Sequence, residues 1–149
     1  MMRWSPAVTV AAVIRRGNRF LLVEERPADL AVVNQPAGHV EFGESPVDAV
    51  RREVLEETCR AFVPSGLLGI YQWTIPGSRH TYLRLCFVGS VGDTLTGCVR
   101  DPDILDTHWL TRDELEHGNL PPRSPLVLRC IDDALNADGA PLGLIHVVD

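Results

Sequence analysis

Glu53, Glu56 and Glu57 stand within five positions of one another in REVLEET, residues 52–58. At about 100° per residue, a helix would bring all three onto one face, beside an apolar stripe of Val47, Val50 and Val54 suited to packing on a sheet. Each like-charge pair at i,i+3 or i,i+4 costs only about 0.2–0.5 kcal/mol in a helix. The spacing alone therefore also allows a plain solvated acidic face. The chemical alternative is a hard cation: Mg²⁺ takes oxygen ligands, keeps several waters and completes its shell with substrate phosphates.

The residues around the cluster decide between these readings. Residues 38–58, GHVEFGESPVDAVRREVLEET, set Gly38, Glu44, Arg52, Glu53, Glu56 and Glu57 at the spacing of the Nudix box, and the sequence resembles the Nudix hydrolase family. That resemblance implies a single α/β domain over 1–149, with a mixed β-sheet sandwiched between helices. It also implies Mg²⁺, or Mn²⁺, held by Glu53, Glu56, Glu57 and the backbone carbonyl of Ala37. Glu53 becomes a candidate for activating water. Arg52 and Glu44 match a pair that orients the helix and supports catalysis from behind the ligands. Asp103, outside the box, is a candidate additional acid, against the plainer reading of a solvated loop residue.

The elements that must position these groups can be read from pattern. Val8 to Arg15 and Phe20 to Val23 flank Gly17-Asn18 as a hairpin. Residues 25–37 read as loop, and 38–43 as a short extended piece and a tight turn. Ser45 and Pro46 mark the start of the box helix as N-cap and first helical residue. Strands are expected over 66–75 and 80–89, then a short strand over 106–110. Thr111 should cap a brief helix, and Ser124-Pro125 should start a last one.

At the box's end the family pattern expects glycine and then an aliphatic residue; here stand Cys59 and Arg60. A non-glycine residue in a left-handed helix end costs on the order of 1 kcal/mol. The helix is thus expected to end differently, running on far enough to place Arg60 beside Glu56 and Glu57. Cys59 reads as a packed thiol.

Substrate choice lies outside the box. NQPAGHVE (34–41), GIYQW (69–73), YLRLCF (82–87) and RSPLV (123–127) resemble the NudJ-type phosphatase branch. That likeness implies release of orthophosphate from nucleoside tri- and diphosphates, and action on hydroxymethylpyrimidine diphosphate and thiamine diphosphate. A pyrophosphohydrolase that releases a nucleoside monophosphate is the alternative within the enzyme class, and a non-catalytic nucleotide sensor the alternative outside it. Tyr71 and Trp73 alternate along one strand and share a face, suited to stacking on a ring or to ordinary core packing. Arg84 could reach a phosphate or make a surface salt bridge. His39 either contacts substrate or finishes its loop. Arg123 gives a weaker signal.

With 14 Lys+Arg against 20 Asp+Glu, the chain carries a formal charge of −6, which argues against binding nucleic acid through its phosphates. No apolar run approaches the roughly 20 residues of a membrane span. The four scattered cysteines form no C-x-x-C pair, so reduced thiols in the cytoplasm are expected. The partner is a small phosphorylated molecule, and monomer and homodimer both stay open.

Overall fold

The computed structural model describes residues 1–149. Its elements run β1 (Ala7–Arg16), β2 (Arg19–Glu25), β3 (Val32–Asn34), β4 (Ala37–His39), α1 (Pro46–Thr58), β5 (Phe62–Thr74), β6 (Thr81–Val91), β7 (Asp106–Thr111), α2 (Arg112–His117) and α3 (Pro125–Ala134), then a short 3₁₀ turn at Leu142–Leu144. No helix is long and apolar enough to cross a membrane.

β1 organises the sheet because its side chains alternate between two cores. Val10, Ala12 and Ile14 face Ala49, Val50 and Val54 of α1, together with Phe87. Ala11 and Val13 face Val127, Cys130 and Ile131 of α3, and Leu115 of α2. A mixed sheet between helical layers results, with β1 and β6 parallel and the other pairings antiparallel.

β1 and β2 remain paired only at Arg15 with Phe20 and Arg16 with Arg19, beside the Gly17-Asn18 turn. Beyond that point they part. β1 is taken up by β6 and β4, while β2 pairs with β3 and β7. A fork opens between the two groups of strands.

Three expectations need correction here. Residues 25–37 contain a strand: Val32, Val33 and Asn34 are buried and pair with β2. The run was too short, and too closely flanked by Pro, Asp and Asn, for its pattern to show. The helix also does not run past its box. It stops at Thr58, and Cys59 takes the left-handed conformation usually left to glycine, with φ of 54°. Arg60 is thereby turned from the carboxylates; it donates to the Gly92 carbonyl at 2.7 Å and lies over the Trp109 ring. Nor is Cys59 a thiol. It forms a disulfide with Cys98, so only Cys86 and Cys130 are free.

Phe87 is fully buried between β1, β5 and α1. Phe87→Ala should lower stability by about 3–5 kcal/mol, as expected for an aromatic cavity. Urea denaturation followed by circular dichroism measures this.

Candidate active site

α1 begins as its sequence requires. Ser45 Oγ accepts the Asp48 amide at 3.0 Å and Pro46 fills the first helical position. Val50 and Val54 are sealed into the core, which fixes the rotation of the helix and hence the direction of its glutamates. Glu57 is drawn inward, only 6% exposed, while Glu56 stays outside.

The helix carboxylates meet the backbone of β4. Glu57 Oε1 accepts the Ala37 amide at 2.8 Å. Glu53 lies against Gly38 so closely that a β-carbon there would sit 2.1 Å from its carboxyl carbon. Gly38 is thus required for close approach, although its backbone conformation is one any residue adopts.

Arg52 joins these carboxylates to the loop that leads into the helix. Its Nε and Nη2 donate to both oxygens of Glu44, at 3.0 and 2.6 Å, and Nη2 also donates to the His39 carbonyl at 3.0 Å. Its Nη1 donates to Glu53 Oε1 at 2.8 Å and to Glu56 Oε2 at 3.2 Å. The expected Arg52–Glu44 pair is therefore present, and the same guanidinium offsets part of the repulsion among the helix glutamates. No three acidic or imidazole groups converge into a ready-made coordination shell.

Burial pushes the Glu53 carboxyl above its ordinary pKa, against the pull of Arg52. Glu57 is pushed up to about 9, first by burial and then by the charges of Glu53, Glu25 and Asp101, with the Ala37 amide working the other way. No basic side chain answers the charge of Glu57. This all-oxygen donor set, short of positive charge, fits a hard divalent cation.

Of these helix carboxylates, Glu57 lines a cleft of about 670 Å³, within the range that holds a nucleotide-sized ligand. Its lining includes Ala37, Gly38, His39 and Glu57, with Asp101, Pro102 and Asp103, Glu25 and Arg123, and Arg84, Tyr82 and Trp73. Arg123 pairs with Glu25.

Of the residues expected to meet substrate, His39, Trp73 and Arg84 do border the cleft. Tyr71 does not. It shares the face of Trp73, but α3 covers it, and its hydroxyl donates to Asp133 Oδ2 at 2.7 Å. Tyr82 takes its place: it lies opposite Trp73 across β5 and β6, with ring centroids 6.2 Å apart and planes within 8° of parallel. Strand pairing could have found it, had the register been readable. The surface salt bridge weighed for Arg84 is absent. Arg84 is 5% exposed and donates to Gln35 Oε1 at 2.9 Å, to Asn34 Oδ1 at 3.2 Å and towards the Cys130 sulfur, with no carboxylate partner.

Asp103 lines the cleft as well, but Asp101 is the acid whose charge reaches Glu53 and Glu57. Its amide donates to the Glu56 carbonyl at 2.8 Å, which docks the loop on the end of α1. Asp101 and Asp103 thus both line the cleft, and Asp101 is the one that the sequence did not single out.

The NUDIX domain family model matches residues 5–130. The chain belongs to the Nudix family. It is 36% identical to phosphatase NudJ of Escherichia coli strain K12 over 143 residues, 95% of this chain and 92% of that protein. The Shigella flexneri phosphatase NudJ matches to the same extent. Among solved structures, a Nudix hydrolase from Nitrosomonas europaea superposes with a TM-score of 0.91 at 42% identity, over 97% of this chain and 98% of that one. The MutT Nudix hydrolase of Burkholderia pseudomallei shares the fold at 22% identity, with a TM-score of 0.72 over 87% of this chain and 98% of its own. The protein is a Nudix hydrolase, similar to the NudJ phosphatases.

Gly38→Ala tests the contact between β4 and the box helix. The new methyl has no room beside Glu53, so turnover should fall by about 100-fold or more while the melting temperature changes little. Steady-state kinetics with thermal denaturation measures both.

Proposed function

We propose that this Nudix hydrolase is a Mg²⁺-dependent phosphatase that releases orthophosphate from nucleoside tri- and diphosphates, and that hydroxymethylpyrimidine diphosphate and thiamine diphosphate are also substrates. One observation carries the reading. Glu57, a buried carboxyl with no basic partner, and Arg84, a buried guanidinium with no carboxylate partner, line the same cleft. An uncompensated buried charge is costly, so sites that keep one are built for a ligand that completes it. A metal-bound phosphate compound bearing an anionic or acceptor-rich second group answers both residues.

Glu53, Glu56 and Glu57 would hold the cation, with the Ala37 carbonyl. When bound, Mg²⁺ offsets substrate charge and polarises the phosphoryl oxygen. The side chains supply the rest. Glu53 Oε1 is engaged by Arg52, which leaves Oε2 to take the proton from the attacking water. As the water oxygen bonds to the terminal phosphorus, the anhydride P–O bond breaks, the shortened substrate departs with the electron pair, and the attacked phosphoryl group becomes orthophosphate. Glu44 supports this step through Arg52, whose orientation it fixes by two hydrogen bonds. Asp101 and Asp103 bring further negative charge to the cleft.

Trp73 and Tyr82 offer parallel rings on which a base or pyrimidine can lie. Arg84 and His39 line the same cleft. A cytoplasmic location stays part of the proposal, but the expectation that all four cysteines are reduced thiols is corrected by the Cys59–Cys98 bridge.

A panel of nucleoside tri-, di- and monophosphates and the two pyrimidine-derived diphosphates, assayed with Mg²⁺ for orthophosphate and pyrophosphate separately, tests the proposal. Orthophosphate should dominate; pyrophosphate with a nucleoside monophosphate would support the α–β cleaving alternative. Tight binding without turnover would support the sensor.

Two variants probe the roles. Glu53→Gln should cut kcat by about 10³-fold, as loss of a catalytic base and ligand does, with the fold intact. Arg84→Gln should raise KM by about tenfold or more through loss of a charge-assisted contact. Near-normal kinetics in either variant would remove that residue from the mechanism.

A further inference from the structure

The loop between β6 and β7, residues 92–105, carries Asp101 and Asp103 into the cleft, yet little apolar burial holds its outer half. Residues 92–99 are all exposed, Val99 to 89%. Its attachments run instead to the end of the box helix. The Leu95 amide donates to the Cys59 carbonyl at 2.8 Å, the Asp101 amide donates to the Glu56 carbonyl at 2.8 Å, and Cys98 is joined covalently to Cys59.

The bridge sits at an unusual place in the chain. Cys59 occupies a left-handed helix end, φ 54°, where glycine would be unstrained. Glycine could not be cross-linked, and the cysteine found there has its partner on the loop that bears the additional acids. The two alpha carbons are 5.7 Å apart, ordinary for a disulfide.

We propose that the Cys59–Cys98 bridge is a positioning device for the hydrolytic centre, pinning the acidic loop to the box helix so that Asp101 stays beside Glu53 and Glu57, and that thiol reduction releases it. The inference rests on the catalytic reading above for its effect on turnover, but its structural half stands apart from that reading. Cys59 is buried at 2% exposure and Cys98 is exposed, so an incoming thiolate attacks the Cys98 sulfur and expels Cys59. With a dithiol as reductant, its second thiolate resolves the mixed disulfide. The S–S bond is broken, two electrons pass to the protein, the two cysteines end as thiols, and the dithiol ends as a cyclic disulfide. Cys86 and Cys130 are free thiols buried in the core and have no bond for the dithiol to cut.

The test compares the oxidised protein, the same protein treated with dithiothreitol, Cys98→Ser, and the double variant Cys59→Gly with Cys98→Ser. Thiol alkylation and mass spectrometry fix the redox state of each. Hydrogen exchange at the Asp101 amide reports docking without reference to activity. Reduction should speed that exchange by about tenfold, as for a segment moved to an easily opened state. It should also lower kcat severalfold with a smaller change in KM. Both cysteine variants should resemble the reduced protein and ignore dithiothreitol. The double variant restores glycine at the left-handed position, so a low kcat there cannot be assigned to backbone strain.

Equal Asp101 exchange in the oxidised and reduced proteins would overturn the proposal. So would faster exchange with an unchanged kcat, because the bridge would then position nothing that turnover needs. If no form hydrolyses any phosphate compound, the catalytic reading fails, and the exchange data alone decide whether the bridge holds the loop.

Discussion

The guanidinium of Arg52 is the contact on which the site depends. It reaches backward to Glu44 and the His39 carbonyl, and along its own helix to Glu53 and Glu56. One rigid, always-charged fork therefore fixes the approach loop, the end of β4 and the first two carboxylates relative to one another. Lysine could not do this, because a point charge on a flexible stem offers no planar set of donors. Arg52 also explains how three neighbouring glutamates coexist in a stable helix. Their repulsion is met from within the fold at two of the three positions, and only Glu57, buried beneath them, is left without a basic partner.

The fork between β1 and β2 gives that cluster something to face. Because β1 leaves its hairpin partner after two residue pairs, it can take β4 on one edge and β6 on the other. Thr9 is the shared rung: it pairs with His39 on one side and Arg84 on the other. Two neighbouring strand spacings, about 10 Å in all, separate the backbone that receives the box carboxylates from the strand that carries the buried arginine. That span suits a small phosphorylated molecule with a group at each end. The same alternation along β1 commits its other face to α1, so packing of Val50 and Val54 sets the aim of the glutamates from behind.

Much of this was legible in the chain. The box residues, the caps at Ser45, Thr111 and Ser124, and the hairpin at Gly17-Asn18 are local signals, and each lies where its spacing required. The failures were long-range. Tyr71 and Trp73 share a strand face, but only the placement of α3 shows that Tyr71 is covered and that Tyr82 completes the aromatic pair. For Arg84 a phosphate contact and a surface salt bridge both stay open until β3, itself unrecognised, brings Asn34 over it. Cys59 and Cys98 lie 39 positions apart with no motif between them, so nothing in the spacing announced the bridge. The departure from glycine at position 59 was visible, but its reason was held by a distant loop.

The central claim is that the carboxylates of α1 are arranged for a divalent cation, with Arg52 holding them in the meantime. A crystal of the protein grown or soaked with Mn²⁺, examined by anomalous scattering, tests this most directly. An anomalous peak should stand among Glu53, Glu56 and Glu57, within about 2.0–2.4 Å of carboxylate oxygens as hard cations require. Arg52 should keep Glu44 and give up Nη1 contacts to Glu53 or Glu56. An anomalous map with no peak at the box helix at saturating Mn²⁺, and with Arg52 still bound to both glutamates, would contradict it.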